Sequence, residues 1–164
     1  MAESIFIPDT KQKKDIYEAL APQIESILAS ETDLIANLAN FVAVLKEAFD
    51  FFWVGFYWVK GSELVLAPFQ GTLACTRIAL GKGVCGTAWK EQKTILVPDV
   101  EKFEGHIACS SLSQSEIVIP VFQENKVVGV LDIDSKKLND FDENDQIGLE
   151  KLVHLLEKHL AKIS

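Results

Sequence analysis

Three cysteines, Cys75, Cys85 and Cys109, are the most reactive residue types in this chain of 164 residues. A free cysteine is most often a small buried apolar residue, but two of these have suggestive neighbours. Cys85 stands between glycines at a predicted helix start, and Cys109 lies in the polar loop 104–115 with His106 three residues before it. Backbone N–H groups or a nearby imidazolium lower a thiol's pKa, and the thiolate is the nucleophile. Acids cluster further on: Glu116 opens one apolar run, while Asp132 and Asp134 belong to the run Val130–Asp134. Strand alternation places Asp132 and Asp134 on one face and Leu131 and Ile133 on the other. A hairpin then gathers three carboxylates at one end of a sheet, where they raise one another's pKa and leave one able to carry a proton near neutral pH. In the run Trp53–Trp58, Trp53 and Tyr57 share one side and Phe56 and Trp58 the other. Beside Gly55, that pair reads either as plain core or as a pocket wall suited to a cationic or thioether ligand.

Two further patterns compete for the same residues. Gly81-Lys82-Gly83-Val84-Cys85-Gly86 matches GxGxxG, with Glu101 on a dinucleotide-like spacing. Only seven residues separate Gly86 from the next predicted strand at Thr94, too few for the crossover helix of a βαβ unit of about 30 residues. The glycines therefore read as a tight loop. Cys75, Cys85, His106 and Cys109 supply the ligand types of a Cys3His zinc centre, but no CxxC pair occurs and only His106 and Cys109 are close in sequence. No metal site is expected from that set.

The elements that must position these groups follow from periodicity. Ile16, Leu20, Ile24, Ile27 and Leu28 recur at steps of three and four, a helix face that Pro22 threatens to break or kink. After the N-cap types Ser30, Thr32 and Asp33, the residues Leu34 to Phe49 repeat the pattern. The texture then changes to FFWVGFYWV and ELVLAPF around Lys60-Gly61-Ser62, a predicted hairpin. Further strands are predicted at Thr76–Leu80, Thr94–Val97, Glu116–Phe122 and Val127–Ile133, with room for one short helix between the first two. Asp142 with an acid three residues on, Asp145, opens a long final helix. The expectation is one α+β domain over residues 1–164: helices in 1–50, a mainly antiparallel six-stranded sheet with active-site loops in 51–135, and a C-terminal helix over 142–162.

Composition narrows the partners. With 24 acids against 16 Lys and Arg the net charge is -8, the wrong sign for gripping phosphate backbones, so nucleic acid is excluded as a partner. The longest apolar run, Phe51–Val59, is about half of the roughly 20 residues a membrane span requires. Residues 1–15 lack the apolar core of a secretory signal, which places the protein in the cytoplasm, and an odd number of cysteines argues against a structural disulfide framework.

GVCGTA (Gly83–Ala88), GHIAC (Gly105–Cys109), SEIVIP (Ser115–Pro120) and GVLDIDS (Gly129–Ser135) together resemble the free methionine-(R)-sulfoxide reductases, which are single GAF-type domains. That resemblance implies a six-stranded antiparallel sheet between helices, a small closed pocket and free methionine sulfoxide as substrate. It also implies Cys109 as nucleophile, Cys75 as resolving cysteine, Cys85 as a further cysteine of less uniform role, and Cys75 and Cys109 joined without reductant. Glu116, Asp132 and Asp134 match the carboxylates of the family's substrate site, and Trp53 and Tyr57 its aromatic wall. Ser110 departs from the family, which has an acid after the nucleophile. No bound cofactor is required; an external thiol reductant such as thioredoxin is the expected partner, and a homodimer stays open. Sequence alone equally allows a Cys85–Cys109 pair. The rival reading is a non-catalytic GAF sensor for a small molecule such as a nucleotide, since Asn139-Asp140-Phe141-Asp142-Glu143 loosely matches the signature of cyclic-nucleotide GAF domains.

Overall fold

The computed structural model describes residues 4–107 and 109–163. Two helices come first, α1 (Lys13–Ala29) and α2 (Leu34–Phe49), and a long one last, α4 (Glu143–Ile163). Between them run β1 (Trp53–Lys60), β2 (Glu63–Gln70), β3 (Arg77–Ala79), the short α3 (Gly83–Glu91), β4 (Ile95–Val97), β5 (Ser115–Gln123) and β6 (Lys126–Ser135). The strands form one sheet in the order β3-β2-β1-β6-β5-β4, antiparallel at every pairing. No βαβ unit is present among the described residues, so the glycine motif lacks a dinucleotide frame.

The local chemistry explains the element ends. The Asp33 side chain accepts a hydrogen bond from the Ala36 N–H at 2.9 Å and starts α2. Asp142 and Asp145 cap α4 reciprocally: Asp145 N–H donates to Asp142 Oδ1 (3.2 Å) and Asp142 N–H donates to Asp145 Oδ2 (2.9 Å). Glu124 and Asn125, both at positive φ, make the two-residue turn between β5 and β6, whose backbone twist suits a tight hairpin. Pro22 lies inside α1 without ending it. It sits on the exposed face, as does Glu18 four residues before it, the residue whose carbonyl an N–H at position 22 would have bonded. Pro120 is tolerated in β5 because β4 pairs only with Glu116 to Val118, so no ladder bond is lost there.

Alternation divides the sheet residues between two apolar layers. Val54, Phe56, Ile117, Ile119, Leu131 and Ile133 pack with the buried faces of α1, α2 and α4. On the opposite face Trp53, Tyr57, Val118 and Val130 pack with Val84, Cys85 and Ala88 of α3. The same alternation carries Glu116, Asp132 and Asp134 to the α3 side, and there the loops leave a cavity.

Candidate active site

Sheet register assembles the acids. Glu116 pairs directly with Asp134 across β5 and β6, and Asp132 lies opposite Gly55 on β1. Gly55 has to be glycine: a Cβ there would lie 2.5 Å from the Trp53 indole and 2.4 Å from Phe69 Cβ. Its bareness lets Trp53 stack on Phe69, with ring centroids 5.4 Å apart, and lie alongside Tyr57 at 6.1 Å. Both aromatics have polar tips with assigned partners. Trp53 Nε1–H donates to the Thr72 carbonyl (3.0 Å) and the Tyr57 hydroxyl donates to the Cys75 carbonyl (2.9 Å). These two bonds fasten the loop after β2 over the sheet and so place Cys75.

Cys75 is bonded to Cys109, with Cα atoms 5.4 Å apart across a sequence separation of 34. Cys85 is the free cysteine, buried at the start of α3. Beneath the disulfide, a cavity of about 40 Å³ is lined by Trp53, Tyr57, Cys85, Glu116, Asp132 and Asp134, with His106, Ser110 and Ser113 at its loop side. The sequence-predicted residues are therefore brought together around one space. Because the disulfide consumes Cys75 and Cys109 as ligands, the Cys3His set considered above is not available in this state.

Burial dominates the electrostatics. Glu116 and Asp132, each 6% exposed, have carboxyls pushed well above the usual range by loss of water, and the negative charge of their neighbours adds to it. They hydrogen-bond each other, and the Cys85 thiol bonds to Asp132. Asp132 Oδ1 has no hydrogen-bond partner among the described residues. Asp134 is half-buried, and desolvation lifts it to about 6 against a hydrogen bond from the Ser113 hydroxyl. Burial thus raises the proton affinity of all three carboxyls.

Two sequence expectations are corrected by the same physics. The Cys85 thiol is not activated at its helix start; burial, Asp132 and Glu116 push its pKa up, so it stays protonated. His106 supplies no imidazolium either, because burial lowers its pKa, and its Nε2 lies 3.8 Å from Glu116 Oε2. Ser110, in place of the family's acid, accepts a hydrogen bond from Leu112 N–H (3.2 Å) and turns the loop. Ser113 carried no sequence signal: a lone serine in a polar loop reveals nothing until the fold lays it on Asp134. His106 stood out for its spacing to Cys109, yet its neighbour is Glu116.

The chain matches the GAF domain family model over residues 29–161. GAF domain-containing protein A of Dictyostelium discoideum is 60% identical over 158 residues, 96% of this chain and 99% of that protein. The free methionine-R-sulfoxide reductase of Escherichia coli is 46% identical over 150 residues, 91% of each chain. The X-ray structure of free methionine-R-sulfoxide reductase from Neisseria meningitidis in complex with its substrate superposes with a TM-score of 0.94 at 53% identity, covering 98% of this chain and 96% of that one. With the paired cysteines above its buried carboxyls, the chain belongs to the GAF-domain family, among the free methionine-R-sulfoxide reductases.

Proposed function

We propose that this chain reduces free methionine-(R)-sulfoxide to methionine, drawing its two electrons from an external dithiol of the thioredoxin class. The observation that carries the reading is the Cys75–Cys109 disulfide beside a pocket lined by the buried carboxyls Glu116 and Asp132 and by Asp134. A sulfoxide sulfur is a poor electrophile until its oxygen accepts a proton, and a neutral carboxyl of the Glu116, Asp132 and Asp134 group is placed to give one. The Cys109 thiolate attacks the sulfur, and the protonated oxygen then passes to the Cys109 sulfur: an S–O bond forms on Cys109 while the methionine S–O bond and the new S–S bond both break, so that methionine departs two electrons reduced and Cys109 is left as a sulfenic acid. The Cys75 thiol displaces it as water and closes the disulfide. A dithiol then reduces that bond by exchange and is itself oxidised to a disulfide.

Each remaining group has a task. Asp132 Oδ1, buried and without a partner among the described residues, is an acceptor for the substrate ammonium, while Trp53 and Tyr57 face its thioether-like chain. Cys85, held as a thiol, orients Asp132 rather than attacking. Every group named lies in one chain, so the reading needs no second copy, and it suits a reducing compartment such as the cytoplasm. The cavity of about 40 Å³ is far below the roughly 300 Å³ of the smallest ordinary ligand pockets, so substrate enters once the disulfide is open.

A GAF sensor would bind its ligand without consuming it. Dithiothreitol-driven assays with both sulfoxide epimers, free and peptide-bound, separate the readings. Multiple turnovers with the free R epimer alone are expected; absence of any turnover would leave the sensor.

A further inference from the structure

Among the described residues, one group of metal-ligating atoms remains once Cys75 and Cys109 are joined: Cys85 Sγ and a carboxylate oxygen from each of Glu116 and Asp132, all within 4.8 Å of one another and all buried. Two of these are hard oxygen donors and one is soft sulfur, a mixture that suits Zn²⁺ or Cd²⁺ and not Mg²⁺. Zinc bonds of about 2.0–2.3 Å hold tetrahedral donors roughly 3.3–3.8 Å apart, so the three need close by about an ångström. Asp132 Oδ1 is buried in the same cluster without a hydrogen-bond partner among the described residues. Size also selects an ion. The cavity of about 40 Å³ holds roughly three waters at 10–15 Å³ each, room for a cation and one remaining water.

We propose that Cys85, Glu116 and Asp132 form a three-donor site for a soft divalent cation of the Zn²⁺ class, which occupies the catalytic pocket in place of substrate. Binding forms one metal–sulfur and two metal–oxygen bonds and releases the thiol and carboxyl protons to solvent, so affinity falls as pH falls. The cation's charge offsets the loss of water that, with the neighbouring acids, raises these pKa values, and a coordinating thiol loses its proton outright. His106, with Nε2 3.8 Å from Glu116 Oε2, and Asp134, paired with Glu116 across the strands, are further donors beside the site.

The disulfide form gives a clean test, because Cys85 is then the only free cysteine. Cd²⁺ titrated into the oxidised wild-type protein is expected to raise an ultraviolet thiolate charge-transfer band that saturates at one equivalent per chain and is displaced by Zn²⁺ but not by Mg²⁺. Cys85→Ser should lose the band, and Glu116→Gln should weaken Cd²⁺ binding at least ten-fold. A wild-type protein without the band, a band persisting in Cys85→Ser, or unchanged affinity in Glu116→Gln overturns the site. Far-UV circular dichroism confirms folding of each variant, and the wild-type titration decides the matter even if one variant fails to fold. No turnover is involved, so the result is separate from that of the reductase assay.

Discussion

In the proposed cycle the same element, sulfur, has two jobs at Cys109 and Cys75, divided by exposure and timing. Cys109 is exposed at the pocket rim and Cys75 is half-buried under the Tyr57 hydrogen bond. Cys109→Ser keeps the volume but is a far weaker nucleophile at neutral pH, so turnover should drop at least a thousand-fold while the circular dichroism spectrum is unchanged. Cys75→Ser should release about one equivalent of methionine per chain and then stall with thioredoxin, read by product quantification in a single-turnover assay. Steady turnover of that variant with thioredoxin would remove Cys75 from its role. Asp134 supplies a pH signature of stability. Its folded pKa of about 6 exceeds the unfolded value near 4, so between those limits the native state binds more protons and stability falls as pH rises. The slope from this one group reaches up to about 1.4 kcal/mol per pH unit, and Asp134→Asn should flatten urea-unfolding stability across pH 4 to 6 by that amount or less.

Between residue and domain, the segment from β3 into α3 decides where Cys85 sits. Gly86 packs against it so closely that a Cβ would lie 2.4 Å from the Ala79 carbonyl oxygen and 3.1 Å from Gly81 N. These are backbone atoms and cannot swing aside. Gly86→Ala should therefore cost about 1–3 kcal/mol in chemical denaturation and, by displacing the neighbouring Cys85 from Asp132, lower kcat; a variant as stable and active as wild type would show that the close approach is dispensable. This turn also marks how far sequence reasoning reaches. The Gly81–Gly86 spacing was legible as no dinucleotide loop because too few residues follow it for a crossover, but only its Gly81 and Lys82 lie in the turn, and Gly83–Gly86 begin α3 instead of a loop. Asp132 and Asp134 were legible on one face because strand period is two. The opposition of Glu116 to Asp134 depends on register across β5 and β6, which the short turn at Glu124 and Asn125 starts and a bulge between Val121 and Phe122 then shifts by one residue. The states of Cys85 and His106 were not legible at all, since helix position and loop spacing say nothing of desolvation, and burial governs both groups. Pro22 misleads for a related reason: the break it threatens is a local cost, which the packing of Leu20, Ile24 and Leu28 overrides.

Across the whole molecule, two apolar layers on opposite faces of one sheet leave the helical layer to hold the fold and the α3 layer to hold the chemistry. Tyr17 links α1 to α4 in the first of these, its hydroxyl donating to the fully buried Asp145 at 2.9 Å. Tyr17→Phe should cost about 1–3 kcal/mol in chemical denaturation, as a buried carboxylate loses a donor, and leave KM unchanged. The disulfide tethers points 34 residues apart, and a loop of that length constrains the unfolded chain by up to about 4 kcal/mol. For a chain this long, that corresponds to a melting temperature roughly 10 °C higher in the oxidised protein, measurable by calorimetry with and without dithiothreitol. If the proposed dithiol recycling holds, enzyme lifetime thereby becomes linked to electron supply. When dithiol is scarce, molecules accumulate in the cross-linked form, which opens least often and offers proteases the fewest chances. Slower degradation of the oxidised form in a limited-proteolysis time course is the expected sign of it: the same bond that halts the catalytic cycle would preserve the stock of enzyme until reductant returns.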